Sequence, residues 1–162
     1  MNTAAMPPRS PEEQGRVDSA LVDLFEHLIA FNQVLGLKIV SVRPGDVRGC
    51  FAMRPELIGH HGYGRLHGGV ISSVLDAMGG LALMVGIAER HQHETCTQVM
   101  HRFSRMGTID LRVDFLRQGM GQQFSATAEV TRLGGRVGST QMRLTSDSGE
   151  LIATGSAAYM VA

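Results

Sequence analysis

The stretch Leu66 to Gly80, LHGGVISSVLDAMGG, sets two adjacent glycines ahead of one carboxylate, with Asp76 eight residues after Gly68. Gly68 and Gly69 at a helix start leave backbone N–H groups with no Cβ in front of them, and a helix N-terminus favours negative charge that develops beside it. Such donors are what a carbonyl oxygen needs as it becomes an oxyanion during hydrolysis. Asp76 supplies the complementary half: its carboxylate either attacks the carbon or takes a proton from an attacking water, and both remain open. The competing reading of Asp76 is a carboxylate satisfied by an arginine or a backbone donor, and that of the glycine pair is a tight turn. Finding the two together favours chemistry, because enclosed acids mark functional sites.

Eight residues of helix rise about 12 Å. Gly68 and Asp76 of one helix therefore cannot both touch one reacting carbon. Two antiparallel helices related by a two-fold axis would complete two sites at once, each with Gly68 from one chain and Asp76 from the other. Gly69, Ser73, Asp76 and Gly80 recur at helical spacing as one stripe of small or polar residues. Val70, Ile71, Val74, Leu75, Met78, Leu81 and Val85 form the opposite, bulky face.

The elements that must position these residues are legible in outline. Val17 to Leu35 carries the spacing of an amphipathic helix, ended by Gly36. Two β-rich runs follow around Pro44-Gly45-Asp46, a hairpin signal. A polar, turn-rich loop holding His60, His61 and His67 precedes an apolar helix from about Gly68 to Arg90, roughly 35 Å long and expected to be buried on all sides. HQHETCTQVMHRFSRMG reads as irregular. TIDLRVDFLRQG, QFSATAEVTRLGGRV, STQMRLTSDS and ELIATGSAAYMVA read as strands, the last two joined at Ser148-Gly149. The expected architecture is α+β: a bent antiparallel sheet around one long helix, preceded by an accessory helix. Residues 1–15 are expected to form a disordered lead-in and 16–162 a single domain.

In LHGGVISSVLDAMGG the chain resembles the hot-dog-fold thioesterases of the PaaI type, whose helix opens with His-Gly-Gly and carries an acid eight residues after the first glycine. SRMGTIDLRVDFLRQG (Ser104 to Gly119) is similar to the strand after that helix, most closely in YigI-like medium- and long-chain acyl-CoA thioesterases. The resemblance runs from roughly Gly36 to the C-terminus. It implies hydrolysis of a medium- or long-chain acyl-CoA, with an aryl acyl group as the open alternative, to free acid and coenzyme A in a dimer or dimer of dimers, with no cofactor beyond the substrate's own coenzyme A. Asp76 would be the catalytic carboxylate and Gly68 the oxyanion donor, with Gly69, Ser73 and Gly80 beside them. His61 stands six residues before His67, where the resembling families hold Asn or Gln to orient the water or the carbonyl. Histidine departs from that pattern, and His60 is the adjacent alternative. His67 would fix the loop against the sheet. Thr108 occupies the position of a hydroxyl that holds the water, although strand propensity alone also explains it. Arg132 and Arg136, joined by Arg117, would approach the phosphates of coenzyme A; the alternative is solvated charge.

Composition narrows the field. Lys+Arg and Asp+Glu balance at 15 each, which disfavours nucleic-acid binding. Lys38 is the sole lysine, and arginine suits bidentate phosphate contact. Cys50 and Cys96 form no CxxC pair, and His91 and His93 join no zinc-type spacing with the loop histidines, so neither a disulfide scaffold nor a metal is expected. The opening MNTAAMPPRSPEEQG does not support export, and the run Leu81 to Ala88 is too short to span a bilayer, so a cytoplasmic location without a membrane span is expected. Two rivals stay in view: a hot-dog hydratase or dehydratase, and a non-catalytic acyl-CoA-binding protein. For the acyl chain, Phe51, Met53, Leu57, Ile58 and the Leu81 to Ala88 half of the helix offer either a tunnel or core.

Overall fold

The computed structural model describes residues 7–161. Helix α1 spans Pro11–Asp23, six residues before the expected start at Val17. Ser10 caps it by accepting the Glu13 N–H, Pro11 occupies its first turn, and Glu12 and Glu13 meet the positive end of its dipole. Pro11 to Gly15 are therefore helical rather than part of an unstructured lead-in, while residues 1–6 lie outside the described residues. Beyond Asp23 the chain widens into a π-helical turn, Leu24–Leu28, and becomes extended at Ile29 before α2, Ala30–Leu35. The single helix expected here is thus two pieces joined by a break. Gly36 closes α2 in the left-handed conformation, φ 69°, where a side chain would be strained.

Strands β1 (Lys38–Arg43) and β2 (Asp46–Ala52) form the expected hairpin around Pro44-Gly45. Glu26 of the π-turn ties the N-terminal segment to β1, accepting the Lys38 ammonium at 2.9 Å and the Ile39 N–H at 2.7 Å. A 3-10 turn, Pro55–Leu57, leads to the small ribbon β3 (Ile58–His60) and β4 (Arg65–Leu66). Then come α3 (Gly68–Arg90), α4 (Cys96–Phe103), β5 (Gly107–Phe115), β6 (Gln123–Leu133), β7 (Val137–Ser146) and β8 (Leu151–Met160). The main sheet is antiparallel in the order β1-β2-β6-β7-β8-β5. It curves around α3, which gives the hot-dog architecture.

Alternation builds the inner face. On β6, Phe124, Ala126 and Ala128 are buried while Ser125, Thr127 and Glu129 are exposed, the period of two that a half-covered strand requires. Against this face α3 buries Ile71, Val74, Leu75, Met78, Leu81 and Val85. By length and composition α3 could cross a bilayer, yet its apolar face is spent on the sheet. It is not enclosed all round: Ser73, Asp76, Ala77, Gly80 and Met84 are only partly covered and Gly69 is exposed. The stripe of small and polar residues is the open side of the helix.

The segment expected to be irregular contains α4. Its start is a capping box: the Gln98 N–H donates to the Thr95 hydroxyl, and the Gln98 side chain accepts the Thr95 N–H. The Thr-x-x-Gln signature was present in the sequence. Arg102 reaches back to Glu94 with two charge-assisted hydrogen bonds, that from Nε measuring 2.6 Å. Those bonds, reinforced by the positive charge of Arg102 and of the neighbouring histidines, outweigh burial and hold the Glu94 carboxyl below its ordinary value of 4.5. Ionised Glu94 then stabilises the fold at every pH above the unfolded value, and the contribution is lost as pH falls through the lower folded value. Glu94→Gln should lower Tm at neutral pH and make it less pH-dependent below about pH 4.5, as thermal denaturation across an acid series will show.

Candidate functional site

Asp76 lies midway along α3 on its open side, and two strands hold it. Thr108 of β5 and Tyr159 of β8 face each other across the β5–β8 ladder, next to an irregularity in register between Thr108 and Asp110. The Thr108 hydroxyl donates to Asp76 Oδ1 at 2.9 Å, and the Tyr159 phenol donates to the Asp76 backbone carbonyl at 2.9 Å. One cross-strand pair thus grips both the side chain and the main chain of the carboxylate residue. Burial, reinforced by the nearby Asp76, pushes the Tyr159 phenol well above its ordinary value, so it stays a proton donor. Asp76 Oδ2 has no partner among the described residues.

This close approach requires Gly79. A Cβ there would lie 2.3 Å from the Tyr159 phenol oxygen and 2.8 Å from the Thr140 hydroxyl. Asp76 opens into a cleft of about 300 Å³, polar at Ser73, Asp76 and Thr108 and apolar along Phe25, Ile29, Phe31, Met84 and Met106. The Ser73 hydroxyl donates to the Gly69 carbonyl at 2.7 Å, and Gly80 lines the same cleft. Phe25, Ile29 and Phe31 of that apolar lining come from the N-terminal segment, Met84 from α3 and Met106 from the turn before β5. Phe51 and Leu57, expected as tunnel or core, belong to the core: both are fully buried, and Phe51 stacks on Phe124.

The first turn of α3 is organised by His67. Its Nδ1 accepts the Gly69 N–H at 2.9 Å and its carbonyl accepts the Val70 N–H at 3.0 Å. The ring therefore caps the helix, and the backbone does the anchoring expected of the ring, through the His67 N–H to the Leu57 carbonyl at 2.9 Å. With the Gly69 amide taken, the Gly68 N–H is the first-turn donor left without an acceptor among the described residues. Gly68 opens into a second cleft of about 380 Å³ beside Arg65, Phe115 and Arg117. That cleft shares no residue with the cleft of Asp76.

The remaining candidates are scattered. His60 and His61 stack at 5.5 Å with rings nearly parallel, and His60 also packs on Tyr63. Neither lines the Asp76 cleft of its own chain. Arg132 and Arg136 flank a separate groove of about 390 Å³, next to which Arg90 donates to the Gly134 carbonyl at 2.9 Å. Arg117 does not join them. It sits at the Leu151 end of β8, paired with Glu150 at 3.1 Å, whereas the Arg136 carbonyl accepts the Val161 N–H beyond the opposite end, a strand length of roughly 30 Å away. His91, His93 and Glu94 bring ligand atoms within 4.8 Å of one another, but they follow the C-terminus of α3, about 20 Å along its axis from Asp76.

Two polar residues of the Asp76 cleft escaped the sequence reading. Tyr159 is the lone aromatic of β8, a signal without a stated partner. Asn32 is a polar residue in the buried stripe Val17, Leu21, Phe25, Asn32 and Leu35, where the pattern calls for an apolar one.

Residues 63–153 match the family model described as Thioesterase superfamily. The medium/long-chain acyl-CoA thioesterase YigI of Salmonella typhimurium is 37% identical over 139 residues, covering 86% of this chain and 90% of that protein. YigI of Escherichia coli K12 is 36% identical over the same shares. Among solved structures, a Shewanella oneidensis protein related to the thioesterase superfamily superposes with a TM-score of 0.86 at 37% identity, covering 95% of this chain and 100% of that one.

The grip on Asp76 has a stability signature. Gly79→Ala should cost about 1–3 kcal/mol by overpacking, and adding Tyr159→Phe, which removes the obstructing oxygen, should recover part of that loss. Urea midpoints of the two single variants and the double variant, combined in a cycle, measure the coupling.

Proposed function

The chain belongs to the thioesterase superfamily and is a thioester hydrolase; on that footing we propose that it cleaves medium- to long-chain acyl-CoA to free acid and coenzyme A at a site shared by two copies. One observation carries the shared site: in a single chain the free Gly68 amide and the Asp76 carboxylate open into different clefts. A second copy with its α3 antiparallel to the first brings one chain's Gly68 opposite the other's Asp76. The open side of α3 supports this arrangement, as does the edge strand β5, which exposes Ile109 and Phe115 and offers unpaired backbone groups to a neighbour.

In this reading the Gly68 N–H receives the thioester oxygen and stabilises it as charge builds. Thr108 holds Asp76 through Oδ1, leaving Oδ2 to act. Asp76 then either takes a proton from water or attacks the carbon itself, forming a mixed anhydride as the thiolate leaves; a single turnover in oxygen-18 water labels Asp76 only in the second case, when water opens the anhydride at the Asp76 carbon. Coenzyme A leaves as thiol. Among the described residues, one chain's share of the cleft around Asp76 offers one carboxylate and no histidine or cysteine, a donor set that supports metal-free hydrolysis. Arg65 and Arg117 flank the Gly68 cleft and would meet phosphate, whereas Arg132 and Arg136 would meet coenzyme A only through a neighbouring copy. The apolar wall of Phe25, Phe31 and Met84 suits a hydrocarbon chain.

Gly68→Pro is a selective probe. Proline is favourable in the first helical turn, His67 already has the extended backbone that proline requires before it, and the substitution removes the amide hydrogen. Gly68→Pro and Asp76→Asn should each reduce thiol release from acyl-CoA by about a hundredfold or more with Tm preserved. Mixing the two inactive variants under subunit exchange should restore about a quarter of wild-type activity, since half of the dimers then hold one intact site. Folded Asp76→Asn with full turnover would sink the role of Asp76, and mixtures as inactive as their components would sink the shared site.

A further inference from the structure

Asn32 is 3% exposed, and its side-chain Nδ2 has no hydrogen-bond partner among the described residues. It lines the cleft of Asp76. Its backbone is already satisfied, the N–H by the Ile29 carbonyl at 3.0 Å and the carbonyl by the Leu37 N–H at 3.1 Å. The amide side chain therefore plays no part in closing the turn.

The wall that the N-terminal segment gives the cleft carries Phe25, Ile29 and Asn32, four and then three residues apart. Two of these suit a hydrocarbon chain and the third does not. An enclosed amide without an acceptor is unfavourable, and a bound alkyl chain would leave it so. The nearby hydroxyls are engaged: Thr108 donates to Asp76 and Ser73 to the Gly69 carbonyl, and Asp76 keeps Oδ2 for the reaction. Asn32 makes no hydrogen bond to Asp76, so nothing ties it to the carboxylate. A half-turn about its terminal torsion exchanges the NH2 and the carbonyl, and both ends can pair with a hydroxyl.

We propose that Asn32 is a specificity residue that recognises an oxygen on the acyl chain, so that the preferred substrates are hydroxy- or oxo-substituted acyl-CoAs rather than plain ones. The assignment rests on the thioesterase reading above. A pocket with an enclosed polar group discriminates against the analogue that lacks the matching one, because that group is then left unpaired.

The test compares dodecanoyl-CoA with its β-hydroxy, β-oxo and ω-hydroxy counterparts by thiol release, using wild type and Asn32→Leu. Wild type should favour at least one substituted substrate by about tenfold or more in kcat/KM, and the identity of that substrate separates hydroxyl from oxo and the near position from the far one. Asn32→Leu should lose the preference and gain on dodecanoyl-CoA. No preference in wild type across the set overturns the proposal, as does a folded Asn32→Leu that keeps it. Calorimetric binding of non-hydrolysable thioether analogues, plain against substituted, reads the same preference without turnover. Selective binding with no thiol release would sink the thioesterase reading alone, while equal binding of both analogues would sink the role of Asn32.

Discussion

The contact at Gly79 is the point on which the site depends. There the backbone of α3 comes close enough to the sheet for the Tyr159 phenol to reach the Asp76 carbonyl. That bond sets how far α3 is rotated about its axis, and the rotation decides which side chains face the sheet and which face the cleft. With Met78 and Leu75 turned inward and fully buried, Asp76 is left at the open side within reach of Thr108. A helix standing farther from the sheet could keep its apolar face covered, but neither hydroxyl would then reach Asp76.

The N-terminal segment completes what the sheet begins. The π-turn at Leu24–Leu28 and the extended Ile29 interrupt the helix just where it passes the open side of α3. An unbroken helix would keep one constant stripe toward its support. The break instead lets Phe25, Ile29, Phe31 and Asn32 all contribute to one wall, in line with the frequent placement of such irregular turns at functional sites. Glu26 anchors the turn to β1: burial raises its carboxyl, but the bonds from Lys38 and Ile39, together with the charges of Lys38 and His27, outweigh that and hold it below the ordinary value.

The two ends of α3 divide the chemistry. At its start His67 consumes one first-turn amide and leaves the Gly68 amide free, so the cap selects the donor as well as stabilising the helix. At its far end Arg90 closes onto the β6–β7 turn, and Glu94 with Arg102 fastens α4. The catalytic reading uses the beginning and middle of the helix, while the far end serves the fold.

Much of this was legible in the sequence because it is local. The helix from Gly68 to Arg90, the hairpin at Pro44-Gly45, the left-handed Gly36 and the stripe through Ser73, Asp76 and Gly80 all follow from spacing and from what glycine and proline permit. The early start of α1 and the box at Thr95 were written there as well, in Ser10-Pro11 and in Thr95-x-x-Gln98. What the sequence could not disclose is how distant strands meet. Thr108 and Tyr159 are far apart along the chain, and only the β5–β8 register places them opposite each other beneath Asp76. Likewise, the Ile29 break, which carries Asn32 to the same cleft, reflects packing of the N-terminal segment against α3 and β1 rather than any residue that forbids helix. Caps and periodicities need only neighbours in sequence, whereas register and helix rotation are settled by the whole core at once, and these fixed the surroundings of the carboxylate that the sequence had already singled out.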